Sequence, residues 1–158
     1  MILVSSCLLG ENCKYDGGNT DNQELKALFS EEEFIAVCPE KLGGLKSPRP
    51  PAEIKGETGE DVLINEAQVV NEEGVDLTEE FLIGARKTLK KAIDNNCNLA
   101  ILKARSPSCG SQEIYDGSFS GETKQGIGVT TALLQKAGIR VFNEENLMEA
   151  KKFKEELE

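Results

Sequence analysis

Five cysteines and no histidine set the chemistry open to this chain. Without imidazole, Ser-His and Cys-His catalysis, His-ligated zinc and histidine proton transfer are all excluded. Acid–base work falls to carboxylates, Lys, Tyr, Ser or Cys. Three of the thiols sit among Gly, Pro and polar residues: Cys7 in "SSCLLG", Cys38 in "VCPEKLGG" and Cys109 in "SPSCG" (106–110). An odd number of thiols fits a reduced compartment better than a disulfide framework, and no CxxC pair suggests thiol redox catalysis. Metal chemistry is the question these residues raise.

The elements that must position them can be read from the pattern. Branched apolar runs bounded by turn signals predict strands at 2–6, 34–38, 99–104 and 139–143. Helices are expected at 22–29, at 78–94 with Phe81, Leu82, Ala85, Leu89 and Ile93 on one face, at 129–137, and at 144–157 capped by Asn143. This alternation predicts an α/β fold, one three-layer domain over 1–158 with a mainly parallel sheet. The stretch 61–74 has the spacing of a small β-hairpin appendage turning at "NEA", and the Pro/Gly-rich segment 39–60 is a long loop expected near the site.

In such sheets ligands bind beyond the carboxyl ends of the strands. Cys7 follows the first strand, Cys38 ends the second and Cys109 lies in the loop after the third, so the three should meet on one edge. Cys97 stands at the other end of its strand, roughly 17–20 Å away, and reads as a core or helix-end residue. Cys13, six residues after Cys7, either reaches the site or lies beside it. Three thiolates in one pocket repel unless a cation or cluster binds them. Zinc with one open position and three corners of a [4Fe-4S] cluster with one iron unligated both satisfy that demand, and spacing does not choose between them.

A net charge of −10 argues against nucleic acid as the main partner. No apolar run approaches the ~20 residues of a membrane span, and the first residues read as a strand rather than a leader, so the cytoplasm is expected. Arg49, Lys103 and Arg105 lie in loops where they could face an anionic site or simply solvate the surface. Tyr15, Asp16, Tyr115 and Asp116 could contact a flat ring or serve turns. Gly126, Gly128, Thr130 and Thr131 open a helix as an anion site or as packing and capping residues.

Four segments, "SSCLLGENCKYDGG" (5–18), "VCPEKLGGLKSPRPPAEI" (37–54), "LKARSPSCGSQEIYDGSFSG" (102–121) and "GIGVTTALLQKAGIRVFNEENL" (126–147), together resemble the family of small desulfidases that includes thiouracil desulfidase. The resemblance covers almost the whole chain. It implies a Rossmann-like domain binding a [4Fe-4S] cluster through Cys7, Cys38 and Cys109, with one open iron for the sulfur of a thiocarbonyl small molecule such as thiouracil or a thionucleotide. It further implies Glu40 and Ser106 as catalytic residues, non-redox hydrolysis, and Cys13 at a variable position. Two other readings stand beside it: a zinc protein with three Cys ligands, hydrolytic or structural, and a non-catalytic sensor or partner-binding domain whose site Cys13 closes.

Overall fold

Short runs of branched apolar residues favour extended backbone, and the four read from the sequence are strands in the structure. The computed structural model describes residues 1–158. In chain order it runs β1 (Ile2–Ser5), a 3-10 turn (Ser6–Leu9), α1 (Gln23–Leu28), β2 (Phe34–Val37), α2 (Pro39–Leu42), β3 (Ala52–Lys55), α3 (Gly59–Leu63), β4 (Gln68–Asn71), α4 (Thr78–Asp94), β5 (Leu99–Ile101), β6 (Glu113–Tyr115), β7 (Thr123–Gln125), α5 (Val129–Lys136), β8 (Arg140–Phe142) and α6 (Leu147–Glu156).

The main sheet is parallel throughout, in the order β2-β1-β5-β8. Because side chains alternate across a strand, each strand feeds two cores. Ile2, Val4, Leu99, Ile101 and Phe142 face Leu25 and Phe29 at α1 and Leu147 and Ala150 of α6. Leu3, Val37, Ala100, Leu102 and Val141 face Ala92 of α4 and Leu134 of α5. The result is the expected three-layer α/β arrangement. No helix is long and apolar enough to cross a membrane.

The appendage is built differently from the hairpin expected at 61–74. Residues 59–63 are helical, because Thr58 accepts the Glu60 N–H while the Asp61 carboxylate accepts the Thr58 N–H at 3.0 Å, a capping box that outweighs the short-range alternation. β4 pairs antiparallel with β3, from Ala52 opposite Asn71 to Lys55 opposite Gln68. A second antiparallel pair, β6 with β7, joins the molecule as well. Ile54, Val69, Phe81, Ala85, Ile114 and Val129 form the core beneath both pairs.

Two helices are also corrected. α6 begins at Leu147 rather than 144, since Asn143 spends its side chain on the Glu145 N–H and its own N–H on Asn146, closing a turn before the helix. On α4 the buried residues are Phe81, Gly84, Ala85, Thr88 and Ala92, and Ile93 is exposed. Small residues win that face because the backbone of α2 comes very close. A Cβ on Gly84 would lie 2.0 Å from the Pro39 carbonyl oxygen, and one on Gly43 would lie 2.0 Å from that of Glu80. This contact fixes α2, which carries Glu40.

Candidate active site

The loops at the carboxyl edge of β1, β2 and β5 enclose a cavity of about 400 Å³, whose lining includes Cys7, Cys13, Cys38 and Cys109. Cys7 enters it on the 3-10 turn that follows β1, whose end is set by Gly10 at φ +95°. Cys38 directly follows β2 and stands just before Pro39, the first residue of α2, where a proline without an N–H suits a helix start.

Cys109 is held by the start of α5. The Val129 N–H donates to the Pro107 carbonyl at 2.8 Å, the Thr130 N–H to that of Ser108 at 2.9 Å, and the Thr131 hydroxyl to that of Cys109 at 2.8 Å. A Cβ on Gly128 would lie 2.5 Å from the Ser108 carbonyl carbon, so only glycine permits this approach. The helix start is thus filled by protein carbonyls. The anion-site option at Gly126, Gly128, Thr130 and Thr131 gives way to packing.

The thiols differ in acidity. The Cys13 thiol lies beside those of Cys7 and Cys38, and its single S–H lowers whichever of the two is the thiolate to about 7, against the cost of burial. Cys13 itself is pushed up as the protonated partner of both. Burial pushes Cys109 up to about 12, and the Ser108 and Ser5 hydroxyls, 3.4 and 3.8 Å from its Sγ, oppose that. Cys13 therefore belongs to the cavity, while Cys97 lies buried at the opposite edge near the Asn95 carbonyl.

Glu40 and Ser106 are joined by a residue the sequence reading missed. The Ser108 hydroxyl donates to Glu40 Oε2 at 3.0 Å and lies 3.3 Å from Ser106 Oγ, which accepts the Cys109 N–H at 2.8 Å. With its lone pair engaged there, Ser106 can donate to Ser108, giving a continuous line of hydroxyls to the Glu40 carboxylate. The signal in the sequence was the Ser-x-Ser spacing within "SPSCG". On its other oxygen Glu40 receives Arg49 Nε at 3.3 Å.

Arg49, Lys103, Tyr15 and Tyr115 all line the cavity. Lys103 pairs with Glu144 at 2.7 Å, and its N–H donates to Ser5 Oγ at 2.9 Å. Arg105 and Asp16 are absent from the lining. The Arg105 guanidinium is taken by Glu113 and Glu145, and Asp16 Oδ1 accepts the Gly18 N–H as a turn residue. Asp116 likewise serves its own turn, accepting from Ser118. Glu53 and Phe119, both unforeseen, complete part of the wall. No three thiol or acidic groups converge tightly enough for one metal ion.

The chain is similar to known proteins over nearly its whole length. The family model described as 2-thiouracil desulfurase matches residues 2–146. A solved structure of a [4Fe-4S]-dependent thiouracil desulfidase, TudS, superposes with a TM-score of 0.83 at 45% identity, covering 94% of this chain and 93% of that one. The uncharacterized protein YbbK of Bacillus subtilis is 50% identical over 147 residues, 93% of this chain and 97% of its own. Nearly the full length of this α/β chain, including every loop that brings a thiol to the cavity, belongs to the 2-thiouracil desulfurase family.

Proposed function

We propose that the chain is a cytoplasmic desulfidase that hydrolyses a thiocarbonyl small molecule without electron transfer, using a [4Fe-4S] cluster held by Cys7, Cys38 and Cys109. The observation that carries this reading is the convergence of those thiols from three strand ends on a cavity where Glu40, Ser108 and Ser106 form one hydrogen-bonded line. When bound, such a cluster supplies a Lewis acid for the thione sulfur.

The overall change is C=S plus water to C=O plus hydrogen sulfide, with carbon at an unchanged oxidation level. Glu40 takes a proton from the attacking water. Ser106, fixed by the Cys109 N–H, orients the substrate or passes to the departing sulfur the proton that Glu40 took from water, handed on through Ser108. Arg49, at Glu40, and Lys103 place positive charge beside groups that carry negative charge through the reaction.

The buried place of Cys13 beside Cys7 and Cys38 favours one competing reading, a site closed by a fourth thiolate and lacking catalysis. Anaerobic reconstitution with iron and sulfide, then iron counting and a sulfide-release assay on 2-thiouracil and 4-thiouracil, separates the two. Four irons per chain and sulfide release, both kept in Cys13→Ala, are expected. A cluster that needs Cys13 and releases nothing sinks the catalytic reading, and tight zinc without iron uptake sinks the cluster.

A further inference from the structure

Cys13 is the one thiol of the cavity that the proposed chemistry does not use. It is buried, in a loop tied to the segment that follows Cys38. The Ser47 hydroxyl donates to the Lys14 carbonyl at 2.5 Å, and the Arg49 N–H to that of Tyr15 at 2.6 Å. The Cys38 Sγ lies 3.8 Å from the Cys13 carbonyl oxygen, and the Cys13 thiol donates toward that sulfur. A disulfide joins Cα atoms about 4.4–6.8 Å apart, so it needs adjacency of this kind. Cys7 is bonded to Cys13 in the same way, but it acts on Cys38 only through charge.

Access separates Cys38 from its neighbours. Cys7, Cys13 and Cys109 are buried, whereas Cys38 is half-buried. It alone among the thiols borders both the main cavity and a second one of about 220 Å³, whose lining includes Glu11, Lys41 and Lys91. A small oxidant entering from either side meets Cys38 first, since susceptibility follows exposure and thiolate character. Behind it stands Cys13, shielded from thiols in solution but not from Cys38.

We propose that Cys13 is a resolving thiol for Cys38: when no metal holds Cys38, hydrogen peroxide oxidises it to a sulfenic acid, and Cys13 closes a disulfide on it. In the first step the Cys38 thiolate attacks peroxide. An S–O bond forms as O–O breaks, sulfur gives two electrons to the peroxide, and hydroxide leaves to become water with the proton the thiol gave up. In the second step the Cys13 sulfur displaces the new oxygen. S–S forms as S–O breaks, and the Cys13 proton departs with the hydroxyl as water. Two thiols and one peroxide thus give one disulfide and two waters.

Further peroxide would otherwise carry Cys38 to the sulfinic acid, which thiol reductants do not reverse, whereas a disulfide returns both thiols on reduction. Cys13 is in this sense a reversible cap on Cys38. The assignment concerns the thiols alone and holds whichever metal they bind and whatever reaction follows.

To test it, the full chain is reduced, freed of metal by chelation, treated with a small excess of hydrogen peroxide, denatured, alkylated and mapped by peptide mass spectrometry. Wild type should give peptides joined between Cys13 and Cys38 of one chain and separated again by dithiothreitol. Cys13→Ser should lose that pair, consume the Cys38 thiol within about twofold of the wild-type rate, and accumulate about fivefold or more sulfinic acid there. The proposal is overturned by the absence of the pair in wild type, by a link from Cys38 to Cys7, Cys109 or a second chain, or by equal sulfinic acid with and without Cys13. If Cys13→Ser fails to fold, the wild-type map decides alone. No arm reads sulfide release, so this assignment and the desulfidase reading fail separately.

Discussion

Strand β5 is followed and preceded by buried thiols, and the pair teaches what burial does and does not mean. Cys97 and Cys109 are each 4% exposed, lie in the same apolar cluster with Leu3, Ala100 and Leu134, and have thiols made less acidic by burial. The neighbours separate them. Around Cys109, hydroxyls of Ser5 and Ser108 reach the sulfur, Ser106 takes the N–H and Thr131 the carbonyl. Around Cys97 the only polar approach to sulfur is the Asn95 carbonyl at 4.0 Å. Both edges of a parallel sheet bury thiols, but the loops converge with polar groups only at the carboxyl edge.

The sharpest way to break this comparison is to delete each thiol. Cys109→Ala should abolish iron uptake on anaerobic reconstitution, since one corner of the cluster loses its ligand, while Cys97→Ala should bind iron as wild type does. Equal iron in both variants would mean that the convergence at the carboxyl edge has no bearing on the cofactor. Next in size is Glu40→Gln, which keeps the Arg49 and Ser108 neighbours but not the base. Sulfide release should fall about 100-fold with iron content unchanged, in line with the usual loss of a general base. A variant with full activity would leave Glu40 as the anchor of Arg49 and nothing more.

The two ends of α5 offer the same contrast in backbone. Gly128 abuts the Ser108 and Cys109 backbone, whereas Gly138 has φ +87° with open space where a Cβ would stand. Gly128→Ala should cost about 1–3 kcal/mol by forcing the Cys109 loop away, and should lower iron retention with it. Gly138→Ala should cost about 1–2 kcal/mol from left-handed backbone strain, with iron retention untouched. Thermal melts paired with iron counts check both. Iron lost equally from the two would show that retention follows general stability and not the loop.

The same asymmetry governs how much of the molecule was legible in its sequence. The four parallel strands were readable because each is a continuous branched run between turn signals, and their ends then placed Cys7, Cys38 and Cys109 together. Pairing over longer range was not readable. The partner of β4 is β3, across a helix that one Thr58–Asp61 capping box creates, and alternation within 61–74 pointed to the nearer turn. Arg105 was a plausible cation for the site until Glu113 and Glu145 claimed it, and those acids approach only through the fold. Ser108 was hidden between Ser106 and Cys109, which drew the attention. Glu53 resembled a solvent-facing residue in a short strand, although the structure buries it and exposes Lys55. Polar groups that act through tertiary neighbours leave little mark on local pattern.

The smallest effect concerns thiol reactivity in the cluster-free protein. The Cys13 S–H has one proton to give, so it favours one thiolate at a time, that of Cys7 or that of Cys38, and brings that one to about 7. The thiolate is the nucleophile, so a lowered pKa means faster alkylation at neutral pH, with a rise through pH 7 and a plateau above it. An iodoacetamide pH series read by peptide mass spectrometry should show this for Cys7 and Cys38, with Cys97 and Cys109 inert until unfolding. Cys13→Ala removes the donor, returns both toward the ordinary thiol value and should slow their alkylation at pH 7 about tenfold. An unchanged rate would assign the acidity to Lys103 and Arg49, the cations beside Cys7 and Cys38, and would make Cys13 a bystander in a site whose reactivity charge alone controls.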